Sequence, residues 1–481
     1  MQLNPAACDR PTSLVAALSQ TAAERPRSPL RLALAAASGA LLAAAGQPAA
    51  AQPAAAPPSP ITGVGAVSWQ VDASVLSYSE ANGRVKAIEP VVNLRRSDAD
   101  DRVSSLRLSL DTLTGASPTG AVPQPGVQTV TSASGRTVTT TRAGQVPLDS
   151  GFKDLRGAGN FSHELPFGDG RRLSMGLNLS GETDFYSASS NVGLSQEFNN
   201  KNTTASVGLA LEVDLIKPVG YTPRPLLPHT ATYAEGGPAV VGGHDDDASS
   251  GVTKTRTVGD LLFGVTQVMS RQWLMQFNLG PGWGSGYHSD PYKVLSVVNG
   301  SGVSAGLQTG DLLVSEARPS QRRRLSVYWQ NKLMLGGAHV VDLALRHYRD
   351  SWGVKANTFD LHYRHDLGGG WYVEPQLRLY RQGAANFYRP YLVEGVDYNS
   401  TSHTALLTAA SADPRLAALG ARTLGLKIGL DLGKGRELGL RVASYQQKQD
   451  AIHNAPGYLA SVPLADNLRA VLLQAGLSQQ F

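Results

Sequence analysis

Hydrophobic and polar residues alternate with a period of two through most of the chain. The pattern is clearest near the end, where Leu424, Leu426, Ile428, Leu430 and Leu432 alternate with Gly425, Lys427, Gly429 and Asp431. Leu438, Leu440 and Val442 continue it against Gly439, Arg441 and Ala443, after the short Gly433-Lys434-Gly435 link. Such a pattern places one greasy and one polar face on a β-strand, and the short link makes the pair a hairpin. The chain closes on Val471, Leu473, Ala475, Leu477, Gln479 and Phe481 in the same rhythm.

Applied along the whole chain, the rhythm predicts sixteen strands. They lie near 68–79, 85–95, 102–112, 152–165, 171–182, 184–198, 203–215, 255–269, 272–282, 323–334, 337–349, 353–367, 371–383, 422–432, 436–447 and 469–481. Counted from the first strand, every even-to-odd connection is short. All five long connections, 113–151, 216–254, 283–322, 384–421 and 448–468, are odd-to-even. A soluble sandwich has no reason to sort its loops by side, whereas an outer-membrane barrel has short periplasmic turns and long external loops. The expectation is an all-β, transmembrane antiparallel barrel of about sixteen strands over 67–481, with extracellular loops and both termini in the periplasm. A small hairpin is expected around Ser134-Gly135, strand fragments within 294–314, and a short helix at 413–419.

The N-terminus fits export. Arg25, Arg27 and Arg31 precede an apolar run from Leu32 to Ala45, and Ala49-Ala50-Ala51 offers a small-residue cleavage site. Residues 1–51 therefore read as a signal region and the Ala/Pro/Gly-rich 52–66 as a flexible leader. The single cysteine, Cys8, falls in the signal region, which leaves the mature chain without a disulfide, thiol nucleophile or thiolate metal site. Four arginines and two acids also fall there, so the net charge of +5 drops to +3. That is too small to point to nucleic acid.

Charged residues make up 17% of the chain and concentrate on the polar strand faces. The expected lumen-facing set contains Asp111, Glu182, Asp184, Glu212, Asp214, Asp342, Arg346, Asp360, Arg364, Glu374, Arg378, Lys427, Asp431 and Arg441. Against lipid, a single Arg or Lys would cost about 2–4 kcal/mol at the midplane. Two readings of this set stand open: ladders shaping a water-filled pore, or pairs across a constricted interior. Trp273, Trp329, Trp352 and Trp371 are expected in an aromatic girdle, and terminal Phe481 as the signal read by the barrel-assembly machinery. In the loop 216–254, His244, Asp245, Asp246 and Asp247 offer hard ligands to a divalent cation, without the EF-hand spacing. No nucleophile elbow, Walker loop or dinucleotide fingerprint is present, so no catalytic residue or cofactor is assigned.

Several stretches carry a family resemblance: Ser109 to Pro118 (SLDTLTGASP), Asn200 to Thr204 (NKNTT), Glu374 to Gln382 (EPQLRLYRQ), Asn386-Phe387-Tyr388, and Ser411-Ala412-Asp413 with Arg415-Leu416. The chain resembles an uncharacterised family of exported Gram-negative outer-membrane β-barrel proteins. The resemblance implies an outer-membrane location and lipid contact. It also implies genes nearby for a small lipoprotein, a thioredoxin-like periplasmic redox protein and a flavin-transferring enzyme. Three functions follow as alternatives: a channel for small solutes or for metal- or redox-related cargo; a closed scaffold that docks such partners; or an outer-membrane hydrolase.

Overall fold

The computed structural model describes residues 67–131, 138–219, 222–228, 253–305, 312–337 and 339–481. The expected signal region and leader, and the His244–Asp247 cluster, lie outside them. Sixteen antiparallel strands form one closed barrel. In order they are β1 (Ser68–Glu80), β2 (Lys86–Ser97), β3 (Val103–Pro118), β4 (Leu148–Pro166), β5 (Arg171–Gly181), β6 (Phe185–Phe198), β7 (Thr203–Ile216) and β8 (Lys254–Ser270). There follow β9 (Trp273–Gly286), β10 (Gln321–Met334), β11 (His339–Asp350), β12 (Lys355–Gly368), β13 (Trp371–Gln382), β14 (Leu419–Gly433), β15 (Arg436–Gln449) and β16 (Leu468–Gln480). Each strand pairs with its sequence neighbours. The ring closes where β1 pairs with β16, from Gln70 opposite Gln480 to Glu80 opposite Ala470.

The period-two pattern explains both faces of this sheet. On β3, Leu106, Leu108 and Leu110 are exposed while Asp111 is buried; on β14, Leu424, Leu426 and Ile428 are exposed while Lys427 is buried. A soluble protein turned inside out in this way would associate through its apolar surface. In hydrocarbon the arrangement is the stable one, because closure also leaves no backbone N–H or C=O unpaired at a sheet edge. The protein is an outer-membrane barrel. Among the described residues no helix is long and apolar enough to cross a membrane.

The even-to-odd turns, such as 271–272, 369–370 and 434–435, are short and share an end with the start of β1 and the close of β16. At the other end β3 and β4 extend past their expected limits, to Pro118 and back to Leu148, with a register shift between Gly115 and Ser117. The Thr/Ser/Gly sequence there reads as loop because it lacks an apolar face. Above the membrane a paired strand needs none.

The described parts of the five long loops fold together into a lid. Val294–Val298 pairs with Leu313–Ser315 and, in parallel, with Leu392–Val393. Gln128–Thr131 pairs with Val138–Thr141, and Pro414–Leu416 is a 3-10 turn capped by the Asp413 side chain. Leu226, Leu295, Val297, Val314, Leu392 and Tyr398 form the lid's main core. Val122, Val298, Tyr391 and Leu459 form a second cluster, so all five loops contribute. Burying apolar area at about 25 cal/mol per Å² is what holds loops of this length to one shape.

Trp352 corrects the expected girdle. It is 4% exposed, with its ring stacked under Arg322 at 4.2 Å and edge-on to Phe387 at 5.1 Å. It lies in the β11–β12 turn and turns inward beneath the lid. Trp273, Trp329 and Trp371 are outward and exposed, as are Trp69 and Trp283, which the sequence pattern did not single out.

Candidate functional site

The barrel interior is built from the polar strand faces, and its charges pair along the wall. Lys332 on β10 meets Asp342 on β11 at 3.2 Å, and Gln330 donates to Asp342 at 2.7 Å. Arg346 donates to Ser326 Oγ at 2.8 Å. On β12 and β13, Arg378 pairs with Asp360 at 3.3 Å, and His362 lies between Asp360 (3.3 Å) and Glu374 (3.0 Å). Arg364 lies 3.6 Å over the Tyr372 ring and pairs with Asp366, while Lys427 pairs with Glu437 at 3.7 Å. Asp111 faces Arg156 at 3.8 Å, and Asp214 binds Arg256 at 2.7 Å. Asp431 sits at the short-turn rim, where it accepts the Gly433 N–H at 2.7 Å.

Some contacts reach across an intervening strand, and three of them pass over an inward glycine. Arg324 on β10 binds Asp260 on β8 at 2.8 Å above Gly282, where an added Cβ would strike the Asp260 carboxylate. Arg441 on β15 donates to Gln376 on β13 above Gly425, and the Tyr372 hydroxyl donates to Glu437 above Gly429. These pairs join neighbouring strands or strands one apart, so they brace the wall around its circumference.

The lid carries its own charge network, assembled from two loops. Arg318 bridges Glu316 (2.6 Å) and Asp413 (2.7 Å), and Arg415 bridges Asp413 (2.5 Å) and Asp290 (3.0 Å). Lys293 donates to the Pro118 carbonyl at the end of β3, and Ser411 donates to Glu316. Burial works against the Asp413 carboxylate, but Arg415 and Arg318 outweigh it and hold its carboxyl well below the usual range. The lid is also tied to the wall around the ring. Tyr292 donates to Asp184, Gln382 at the end of β13 donates to the Arg415 and Ala417 carbonyls, and Gln449 at the end of β15 donates to the Tyr388 hydroxyl.

Beneath the lid, against the wall of β6 to β10, lies a cavity of about 140 Å³. Glu212, Asp260, Arg256 and Arg324 line it from the barrel, and His288 and Tyr292 from the lid. Burial, with the Arg256 and Arg322 guanidiniums, pushes the His288 imidazole down to about 3. It is therefore neutral at pH 7, edge-on to Trp352 with ring centroids 5.4 Å apart. Nearby, Asp154, Glu182 and Asp184 bring carboxylate oxygens within 4.8 Å of one another.

Sequence reading placed Glu182, Asp184, Glu212 and Asp214 on the polar face but missed the lid network and His288. Nothing in the local pattern of loops 287–320 and 383–418 shows that Glu316 and Asp413, ninety-odd residues apart, share an arginine.

Among solved structures, the chain is similar to a mutant ferric enterobactin receptor (PfeA) from Pseudomonas aeruginosa, at 12% identity and a TM-score of 0.40, covering 85% of this chain and 59% of that one. CdiB from Acinetobacter baumannii matches at 8% identity and a TM-score of 0.40, covering 85% and 60%. The outer membrane protein opdK from P. aeruginosa matches at 9% and 0.34, covering 86% and 99%. The chain thus spans less than two thirds of the length of the first two. No curated protein matches it. A family model described as a protein of unknown function, DUF3570, matches residues 31–479, and the chain belongs to that family.

Proposed function

We propose that this protein conducts small polar solutes across the outer membrane, through a lumen whose outer mouth is closed by the folded loops. The observation that carries this reading is the direction of the charge pairing. The contacts described along the wall run around it and leave a polar interior, and a sixteen-stranded circumference is wide enough for an aqueous path. The cavity beside His288 is then the chamber in which a solute exchanges water for fixed charges and hydroxyls. Five arginines against four carboxylates line it, which favours a short polar molecule that carries an anionic group.

The test is conductance in a planar bilayer, with the purified barrel and with an Asp413→Asn, Arg415→Gln variant that dismantles the lid network. The intact protein is expected to conduct weakly and the variant several-fold more. Silence from both, while each still migrates as a heat-modifiable folded barrel, would refute the channel. The family resemblance supports a second element of this reading, a small lipoprotein or periplasmic redox protein bound at the short-turn rim. Co-purification from crosslinked membranes would detect it.

A further inference from the structure

At its long-loop end the outer wall of β10 to β16 carries one basic residue on each of seven consecutive strands: Arg323, Arg349, Lys355, Arg381, Arg422, Lys448 and Arg469. All seven are exposed and stand at the long-loop end, just beyond the outward apolar positions of their strands. The register makes them a continuous ladder. Arg349 is directly opposite Lys355, and Arg323 is one diagonal step from Arg349 through Leu325. Asn357 faces Arg381, Leu379 faces Arg422, Gly420 faces Lys448, and Gln446 faces Arg469, so each later base is again a diagonal neighbour of the next. Diagonal neighbours on a sheet are ~7–8 Å apart. Seven strands at ~4.8 Å spacing make an arc of roughly 30 Å.

Among the described residues most of this charge is not balanced within the protein. The outward positions of these seven strands hold no carboxylate. Among the described residues Arg381 pairs with Asp450 at 2.5 Å, and Arg422 donates to the neutral Gln446. Like charges facing each other, as at Arg349 and Lys355, destabilise a sheet unless an anion lies between them. The remaining wall differs. On β2, β4 and just past β7, Lys86, Lys153 and Lys217 stand singly among Ser79, Thr114, Tyr186, Thr257 and Ser285.

We infer that this arc seats the phosphate groups of a phosphorylated glycolipid in the outer leaflet. The height is that of lipid headgroups on the extracellular side, and Arg offers a planar fork that binds phosphate through two N–H groups. A row of cations is matched by several such lipids side by side, their acyl chains on the Leu/Val band below. Sugar hydroxyls would meet Gln446, Asn357 and His347, which lie between the bases and the apolar band.

The test uses the full-length barrel in neutral detergent with three probes: diphosphorylated lipid A, its dephosphorylated form, and phosphatidylglycerol. Native mass spectrometry with titration gives the affinities. Diphosphorylated lipid A is expected to bind at least tenfold more tightly than either other probe, and to lose at least tenfold in an Arg349→Gln, Lys355→Gln, Arg422→Gln variant. Arg349→Lys, Arg422→Lys should retain most binding, which separates loss of charge from misfolding. Arg96→Gln, Arg436→Gln at the opposite rim should bind as the parent does. Equal binding of dephosphorylated lipid A, equal binding of phosphatidylglycerol, or an unchanged triple variant would each overturn the assignment.

Discussion

At the scale of single residues, the inward glycines do a job that their small size alone does not announce. Gly429 lies under the Tyr372 ring, and Tyr372 is 1% exposed with its hydroxyl on Glu437 and its face beneath Arg364. Gly429→Val would displace that ring and leave Glu437 and Lys427 to find new partners. Overpacking of this kind costs ~1–3 kcal/mol, to be read as a lowered urea midpoint for unfolding from lipid vesicles. Gly157→Val is the control, because nothing lies within 4 Å of the Cβ it would add. The sequence shows glycines alternating with leucines, which is enough to set the face. It does not show that a side chain from the neighbouring strand passes overhead to reach the strand beyond, because that contact exists only once the register is fixed.

At the scale of elements, strands and lid were unequally legible. Strand positions follow from a local period, and in the folded barrel their limits differ by a few residues. The lid depends on contacts between segments far apart in sequence, such as the Val122 N–H on Ser296 Oγ at 3.1 Å, so no window along the chain contains its signal. His288 is the clearest instance: it appears as a lone histidine after a glycine-rich strand, yet it packs between the lid and the wall. Its imidazole is depressed from the ordinary 6.5 to about 3, so the unfolded lid binds a proton that the folded lid refuses. Lid stability from this group therefore falls as pH drops from about 6.5 towards 3. Asp413 has the same sign in a lower window, since its contribution is complete above the ordinary carboxylate range and declines only below it. Melting temperature measured between pH 7.5 and 4.5 should fall in the parent and fall distinctly less in His288→Gln. Identical slopes would mean that some other group governs the acid sensitivity.

At the scale of the whole molecule, strand number, closure and sidedness were all readable beforehand, because loop lengths sort by end only in a chain that shuttles across a membrane. The seam between first and last strands is the step on which everything else waits. Phe481 exchanges backbone bonds with Trp69 (2.8 and 3.2 Å), so the final residue is part of the closing ladder and its ring is exposed on the lipid side. Removing Phe481 should lower the yield of heat-modifiable barrel in the outer membrane several-fold, while material that does close should melt within a few degrees of the parent. Undiminished yield would show that the terminal ring plays no part in assembly.

The described residues tie the lid to the barrel at β3, at the turn between β5 and β6, at β13 and at β15, which is an arrangement unlike a door on one hinge. In the conducting barrel proposed above, traffic would pass beside the lid, through the hollow that lies against β6 to β10. The route of that proposal is off-axis, hugging one flank of the cylinder, and a blocker tethered along that flank should stop current that one tethered on the opposite flank leaves running.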